Sequence, residues 1–116
     1  MVTRISRDEL RAAIDRHDPI VVLEALPPMY FEDAHLPGAR NMPHDRVDEL
    51  AATLIPTIST EVVVYCANLP CPNSELAARR LQALGYANVR EYAEGKEDWI
   101  GAGLPVERGA VTASTH

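Results

Sequence analysis

The sequence predicts an α/β domain built on a parallel sheet with helices on both faces. Three observations lead there. Along the chain, apolar residues switch between the two-residue period of strands and the three-to-four-residue period of helices. The segments Ile20-Val21-Val22-Leu23 and Val62-Val63-Val64-Tyr65 are apolar on both faces, as strands covered from both sides must be. The chain has 116 residues, the length of one domain, enough to bury roughly two thirds of its unfolded surface. Parallel strands need crossover connections, and the helices between them supply these.

Each element has a local reason. Ser6-Arg7-Asp8-Glu9 is a capping box, with a hydroxyl at the N-cap and a carboxylate three residues on. Leu10, Ala13 and Ile14 come next at helical spacing, so a helix is expected from about Arg7 to Arg16. Ile20 to Leu23, after Asp18-Pro19, is a buried strand. Pro27, Pro28, Pro37 and Gly38 hold the next stretch in loops, with at most one helical turn around Tyr30 to Ala34. Ala39 to Met42 is a short strand. Val47, Leu50, Ala51 and Leu54 mark a second long helix, ending before Pro56. Glu61 to Tyr65 is the strongest strand, and Glu75 to Leu84 a helix stopped by Gly85. Asn88 to Tyr92 is the last strand and Lys96 to Ala102 the last helix. Arg108 to His116 is small and polar without periodicity, and reads as a mobile tail on a domain spanning 1–107.

Composition narrows the function. Hydrophobic residues make up 47% and the net charge is −6. A nucleic-acid partner or an anionic membrane surface would need a basic face, so neither is expected. No apolar run approaches the roughly 18–20 residues of a membrane span. The charged start, MVTRISRDELRAA, lacks the apolar centre of a signal peptide, so a cytoplasmic location is expected. Two cysteines, Cys66 and Cys71, are too few for a disulfide framework or a closed structural zinc site.

Sites in parallel α/β sheets form where strand ends open into helices. Cys66-Ala67-Asn68-Leu69-Pro70-Cys71-Pro72-Asn73-Ser74 leaves the strongest strand and enters a helix whose expected N-cap is Asn73 or Ser74. Loop amides turned inward would make an anion-binding concavity, and the helix start adds about half a positive charge. Cys66 is therefore expected to have a lowered pKa and to act as a nucleophile. The competing reading is a buried, inert strand-end cysteine.

Several separated segments resemble the single-domain rhodaneses, a sulfurtransferase family. Ala34-His35-Leu36-Pro37-Gly38-Ala39-Arg40-Asn41-Met42-Pro43 is similar to the family's Gly-His-Ile-Pro-Gly-Ala-x-Asn-Ile-Pro stretch, and Val63-Val64-Tyr65-Cys66 to the strand ending in its active cysteine. Ala77-Ala78, Leu81, Leu84-Gly85-Tyr86 and Asn88-Val89 match the family's helix and strand after the active loop. Trp99, Gly103 and Pro105 fit its closing Trp-x-x-x-Gly-x-Pro. The likeness runs from about Ile5 to Glu107. It implies a three-layer rhodanese-like domain with a five-stranded, mostly parallel sheet and helices on both faces. It also implies that Cys66 takes a sulfane sulfur from a small donor such as thiosulfate or a persulfide. The resulting Cys66 persulfide passes that sulfur to a thiol-type acceptor, without metal or organic cofactor. Ala67, Asn68, Leu69, Cys71, Asn73 and Ser74 form the implied substrate-binding loop.

The loop departs from the family's Cys-x-x-Gly-x-Arg-Ser. Seven residues separate Cys66 from Ser74 where the family has five, and neither Gly nor Arg is present. Pro70 and Pro72 remove two amide donors, so weak thiosulfate activity is expected. The phosphatases sharing this fold need an arginine where Pro72 stands, which argues against that chemistry. Glu24-Ala25-Leu26 replaces the family's Asp-x-Arg pair. Lys96 can lean over the same sheet edge, with a plain solvated charge as the alternative for it and for Arg79 and Arg80. Cys71 can serve as a resolving thiol, against a reading as a loop residue held between prolines. Alternative functions are a regulatory or binding module on the same scaffold, or a redox sensor using both thiols. His35 is expected to be structural and bonded to backbone, Trp99 to pack in the core, and Glu91, Glu94, Glu97 and Asp98 to form a wet acidic face.

Overall fold

The computed structural model describes residues 2–109. Ten elements succeed one another along the chain: β1 (Thr3–Arg4), α1 (Arg7–Asp15), β2 (Ile20–Glu24), α2 (Pro28–Asp33), β3 (Arg40–Asn41), α3 (Val47–Leu54), β4 (Glu61–Tyr65), α4 (Asn73–Ala83), β5 (Val89–Tyr92) and α5 (Gly95–Gly101). The strands form one sheet in the order β1-β5-β4-β2-β3, and every neighbouring pair runs parallel.

Strand β4 is central, and its alternation divides the core. Val62 and Val64 face Val47 and Ala51 of α3 and Ala77, Ala78 and Leu81 of α4. Val63 and Tyr65 face Leu10 of α1, Phe31 of α2 and Trp99 of α5. Helices therefore cover both faces. Leu10, Leu23 and Leu81 are fully buried, each contributing about 1.5–3 kcal/mol by leaving water. Trp99 packs in this core as expected, edge-on to Tyr92, and its indole N–H donates to Pro105 O at 2.8 Å.

Local signals set most boundaries. The capping box forms, with Ser6 Oγ accepting from the Glu9 amide and Glu9 from the Ser6 amide. Helix α2 is longer than the single turn expected, because Pro28 stands in its first turn, where a missing N–H costs nothing. Strand β1 has no counterpart in the sequence reading of individual segments; it exists by pairing with β5. Its partner lies far along the chain, so no local pattern announces it.

Near the C-terminal end, Glu107 forms an antiparallel bridge with His35. Beyond it, the Arg108 guanidinium donates to Asp33 O at 2.6 Å and the Gly109 amide to Glu32 O at 2.8 Å. The first two residues read as tail are thus tied to α2. Residues 110–116 of that segment lie outside the described residues. Among the described residues, no helix is long and apolar enough to cross a membrane.

Candidate active site

Cys66 is the first residue beyond β4, and its loop runs directly into α4. Here the chain leaves the carboxyl end of the central strand, the position parallel sheets use for sites. The loop is clamped from the opposite side by the start of α5. The Lys96 amide donates to Cys66 O and the Glu97 amide to Ala67 O, both at 2.9 Å. Gly95 makes that approach feasible: its φ is +75°, and a Cβ there would lie 2.6 Å from Cys66 O. Side-chain contact adds to the clamp, since Asn68 Nδ2 donates to Glu97 Oε2 at 3.0 Å.

The Cys66 residue is 1% exposed. Its thiol has two acceptors for one proton: Cys71 O at 3.4 Å and Ser74 Oγ at 3.3 Å. The Ser74 hydroxyl in turn donates to Glu91 Oε2 at 2.6 Å. Ser74 is therefore not the helix cap expected. Residue Pro72 occupies the N-cap without a side-chain bond, and Ser74, already the second residue of the helix, turns its hydroxyl inward to the charge-assisted bond with the Glu91 carboxylate. Asn73 opens the helix, half-buried beside the cleft that flanks the loop.

The expected lowering of the Cys66 pKa is corrected by the structure. Burial pushes the thiol up, and the neighbouring Cys71 thiol adds to it, while the Ser74 hydroxyl and amide oppose them. Removing an anion from water outweighs two hydrogen bonds here. The Cys71 amide does not join a cradle around the sulfur, since it donates to Asn68 O at 3.1 Å and closes a turn. Cys71 itself is half-buried with a free thiol, and Leu69 is exposed at the loop tip.

Lys96 leans over the carboxyl edge of the sheet, as one of its two expectations has it, and its cation is committed to the protein there. Its ammonium donates to Glu24 Oε2 at 3.0 Å, Tyr30 O at 2.9 Å and Ala34 O at 2.7 Å, so all three protons point inward. Glu24 is fully buried, accepts from Tyr65 Oη at 2.7 Å, and has its pKa raised by burial against the pull of Tyr65 and Lys96. Tyr65 Oη accepts the Leu36 amide at 3.1 Å, tying the end of β4 to the segment before β3. Burial, then the Glu24 charge, pushes the Tyr65 phenol far up.

The cleft has a volume of about 480 Å³ and is lined by Leu26, Pro27, Tyr30, Asp33, Ala67, Asn73, Lys96, Glu97 and Ile100. Its walls are mostly carbon, its rim carries Asp33 and Glu97, and the Lys96 cation within it is already committed to Glu24. Arg79 and Arg80 pair with Glu75 and Asp48 on the outside of α4. Among the described residues, no group of three or more His, Cys, Asp or Glu side chains is placed to hold a metal ion.

The remaining expectations divide. His35 is structural as expected: its Nδ1 donates to Phe31 O at 2.8 Å and its ring stacks on Phe31 at 3.8 Å. The acidic face is not uniformly wet. Asp98 accepts from Arg7 and Tyr92, and Glu91 is 7% exposed. Strand alternation from Val89 places Glu91 on the covered side, and that signal was available in the sequence. Gly95 and the Lys96–Glu24–Tyr65 network were missed because their partners are distant in sequence.

A rhodanese-like domain model matches residues 6–102. The chain is 26% identical over 100 residues to YrkF of Bacillus subtilis (strain 168), a candidate sulfur carrier protein, covering 86% of this chain and 52% of that one. It is 29% identical over 104 residues to the adenylyltransferase and sulfurtransferase UBA4 of Candida albicans, covering 83% of this chain and 23% of that one. The chain thus spans about half the length of one of these curated relatives and under a quarter of the other. The crystal structure of a thiosulfate sulfurtransferase from Pseudomonas aeruginosa superposes with a TM-score of 0.83 at 25% identity, over 93% of this chain and 20% of that one. Parallel five-stranded sheet, cysteine-bearing loop after the central strand and family match agree: the chain belongs to the rhodanese-like domain family, whose members here include sulfur-transfer proteins.

Proposed function

We propose that the chain is a sulfurtransferase or persulfide carrier with Cys66 as its nucleophile. One observation carries this reading above the others. The Cys66 sulfur, at the carboxyl end of the central strand, is held by the polar groups Ser74 Oγ and Cys71 O, and it is not simply packed in carbon. Ala67, Asn68, Leu69, Cys71, Asn73 and Ser74 are the loop residues that would surround a transferred sulfur. In the first half-reaction a Cys66 thiolate attacks the outer sulfur of a donor persulfide R–S–SH. A Cys66–S bond forms, the donor S–S bond breaks, and R–S⁻ leaves with the electron pair. In the second, an acceptor thiolate R′–S⁻ attacks that same outer sulfur and Cys66 departs as thiolate.

The electrostatics favour thiol-type donors over thiosulfate. A dianion would meet no free guanidinium in the loop, a lysine committed elsewhere, and two carboxylates at the cleft rim. Free thiols at Cys66 and Cys71 fit a reducing compartment such as the cytoplasm. The test is exposure to glutathione persulfide followed by mass spectrometry. Gain of one sulfur atom at Cys66, absent from Cys66→Ser, supports the reading; no gain removes it and leaves a binding module on the scaffold.

A second reading has its own observation. The Cys66 thiol donates to Cys71 O at 3.4 Å, which holds the two cysteines together in one loop, so a Cys71 thiolate could attack the inner sulfur of a Cys66 persulfide, releasing HS⁻ and leaving a disulfide. Loss of two hydrogens after mild peroxide, in place of oxygen gain, would support a redox role.

A further inference from the structure

The reading of Cys66 as nucleophile leaves one buried carboxylate without a task. Glu91 lies on β5, and its Oε2 accepts the Ser74 hydroxyl proton at 2.6 Å. With its proton committed there, Ser74 Oγ accepts in turn, and the Cys66 thiol donates to it at 3.3 Å. A hydroxyl that accepts on one side and donates on the other can pass a proton along. We propose that Glu91 takes the Cys66 proton through Ser74, so that the thiolate forms by transfer inside the protein. The proposal rests on Cys66 being the sulfur-accepting nucleophile, and Glu91, acting through Ser74, is a positioning residue for that proton.

The step balances. The thiol proton moves to Ser74 Oγ as the Ser74 proton moves to Glu91. Afterwards the Ser74 hydroxyl donates to the thiolate and the Glu91 carboxylic acid donates to Ser74 Oγ. Both hydrogen bonds survive with reversed direction, and the relay still carries one negative charge. Loss of the proton to solvent would instead leave two negative charges on one buried relay, which like-charge repulsion opposes. When an acceptor later removes the sulfur, Cys66 departs as thiolate and recovers its proton from Glu91 by the same route.

Among the described residues, few groups face this relay. The loop contributes Cys66 and Cys71, and α4 contributes Ser74, with Glu75 on its outer side paired to Arg79. Strand β4 presents the apolar Val64 as register partner of Glu91. On the other flank β1 presents Arg4 in register, with its side chain exposed.

The experiment is site-resolved alkylation of Cys66 by iodoacetamide from about pH 5 to about pH 10, with peptide mass spectrometry separating it from Cys71. A thiolate paired with a carboxylic acid is one protonation form of a singly charged dyad, so its population does not vary between the two macroscopic titrations. The wild-type rate constant is therefore the sum of a pH-independent part from this form and a part that rises about tenfold per pH unit from the doubly charged form, so a flat segment is expected on the acid side of the profile. In Glu91→Gln, whose amide oxygen still accepts from Ser74, and in Ser74→Ala, the rate should rise about tenfold per pH unit. A wild-type rate that climbs about tenfold per unit throughout, or a flat segment surviving in Glu91→Gln, would overturn the relay. The wild-type profile decides even where a variant fails to fold. Sulfur uptake at Cys66 without a flat segment removes the relay and leaves the carrier; a flat segment without uptake supports the relay and removes the carrier.

Discussion

Gly95→Ala isolates the contact that fixes the active loop. Residue 95 has φ +75°, and an added Cβ would sit 2.6 Å from Cys66 O, 2.8 Å from Ala67 C and 2.9 Å from Ala67 O. These are backbone atoms, so the methyl cannot be accommodated by turning a side chain. The left-handed backbone alone costs an L-residue about 1–2 kcal/mol. Pushing the loop away also loosens the Lys96 and Glu97 amide bonds to Cys66 O and Ala67 O, each worth about 1 kcal/mol. The total expected is about 3–4 kcal/mol. Gly103→Ala supplies the comparison, since its φ is +77° with nothing within 4 Å of a Cβ; it should lose about 1–2 kcal/mol. Urea unfolding measures both, and the folded Gly95→Ala fraction should also show faster Cys66 alkylation as the loop lifts. Equal midpoints for the two variants would refute the argument, because identical backbone strain would then account for everything.

The same geometry sets three further outcomes. Lys96→Met leaves the Glu24 carboxylate buried without its cation and should cost about 3 kcal/mol in urea unfolding. The Glu24 pKa is raised in the folded state above an ordinary value of 4.5. Its contribution to stability is then fully present below that value and lost as pH rises toward the folded pKa. Wild type measured against Glu24→Gln should accordingly lose ground as pH climbs above about 4.5, and a difference that grows with pH would contradict the assignment. At neutral pH under native conditions Cys71 should be alkylated faster than Cys66, which burial both covers and holds protonated; peptide mass spectrometry reads the order.

The sequence disclosed what short-range chemistry decides. The capping box of α1, the valine run of β4 and the period of α3 each lie within one window, so their form could be read directly. The place of Cys66 at a strand end was legible for the same reason. Its protonation was not, because burial depends on how the loop folds over it and on Cys71 O and Ser74 Oγ meeting the sulfur. Ser74 looked like a cap because the Glu91 carboxylate that captures it sits seventeen residues on. Strand β1 escaped notice because two exposed residues are held by β5 alone. For Lys96 the sequence leaves the sheet edge and a solvated charge both open, and its three acceptors, from β2, α2 and the residue after α2, decide for the edge. For Ser74, β1 and Lys96 the deciding partner lies far along the chain.

The most direct test of the central claim is sulfur bookkeeping at residue 66. After incubation with glutathione persulfide, one sulfur atom should be found on Cys66, vanish in Cys66→Ser, and pass to an added thiol within the assay. Sulfur that persists on the Cys66→Ser protein, or never reaches residue 66 in the wild type, would contradict it.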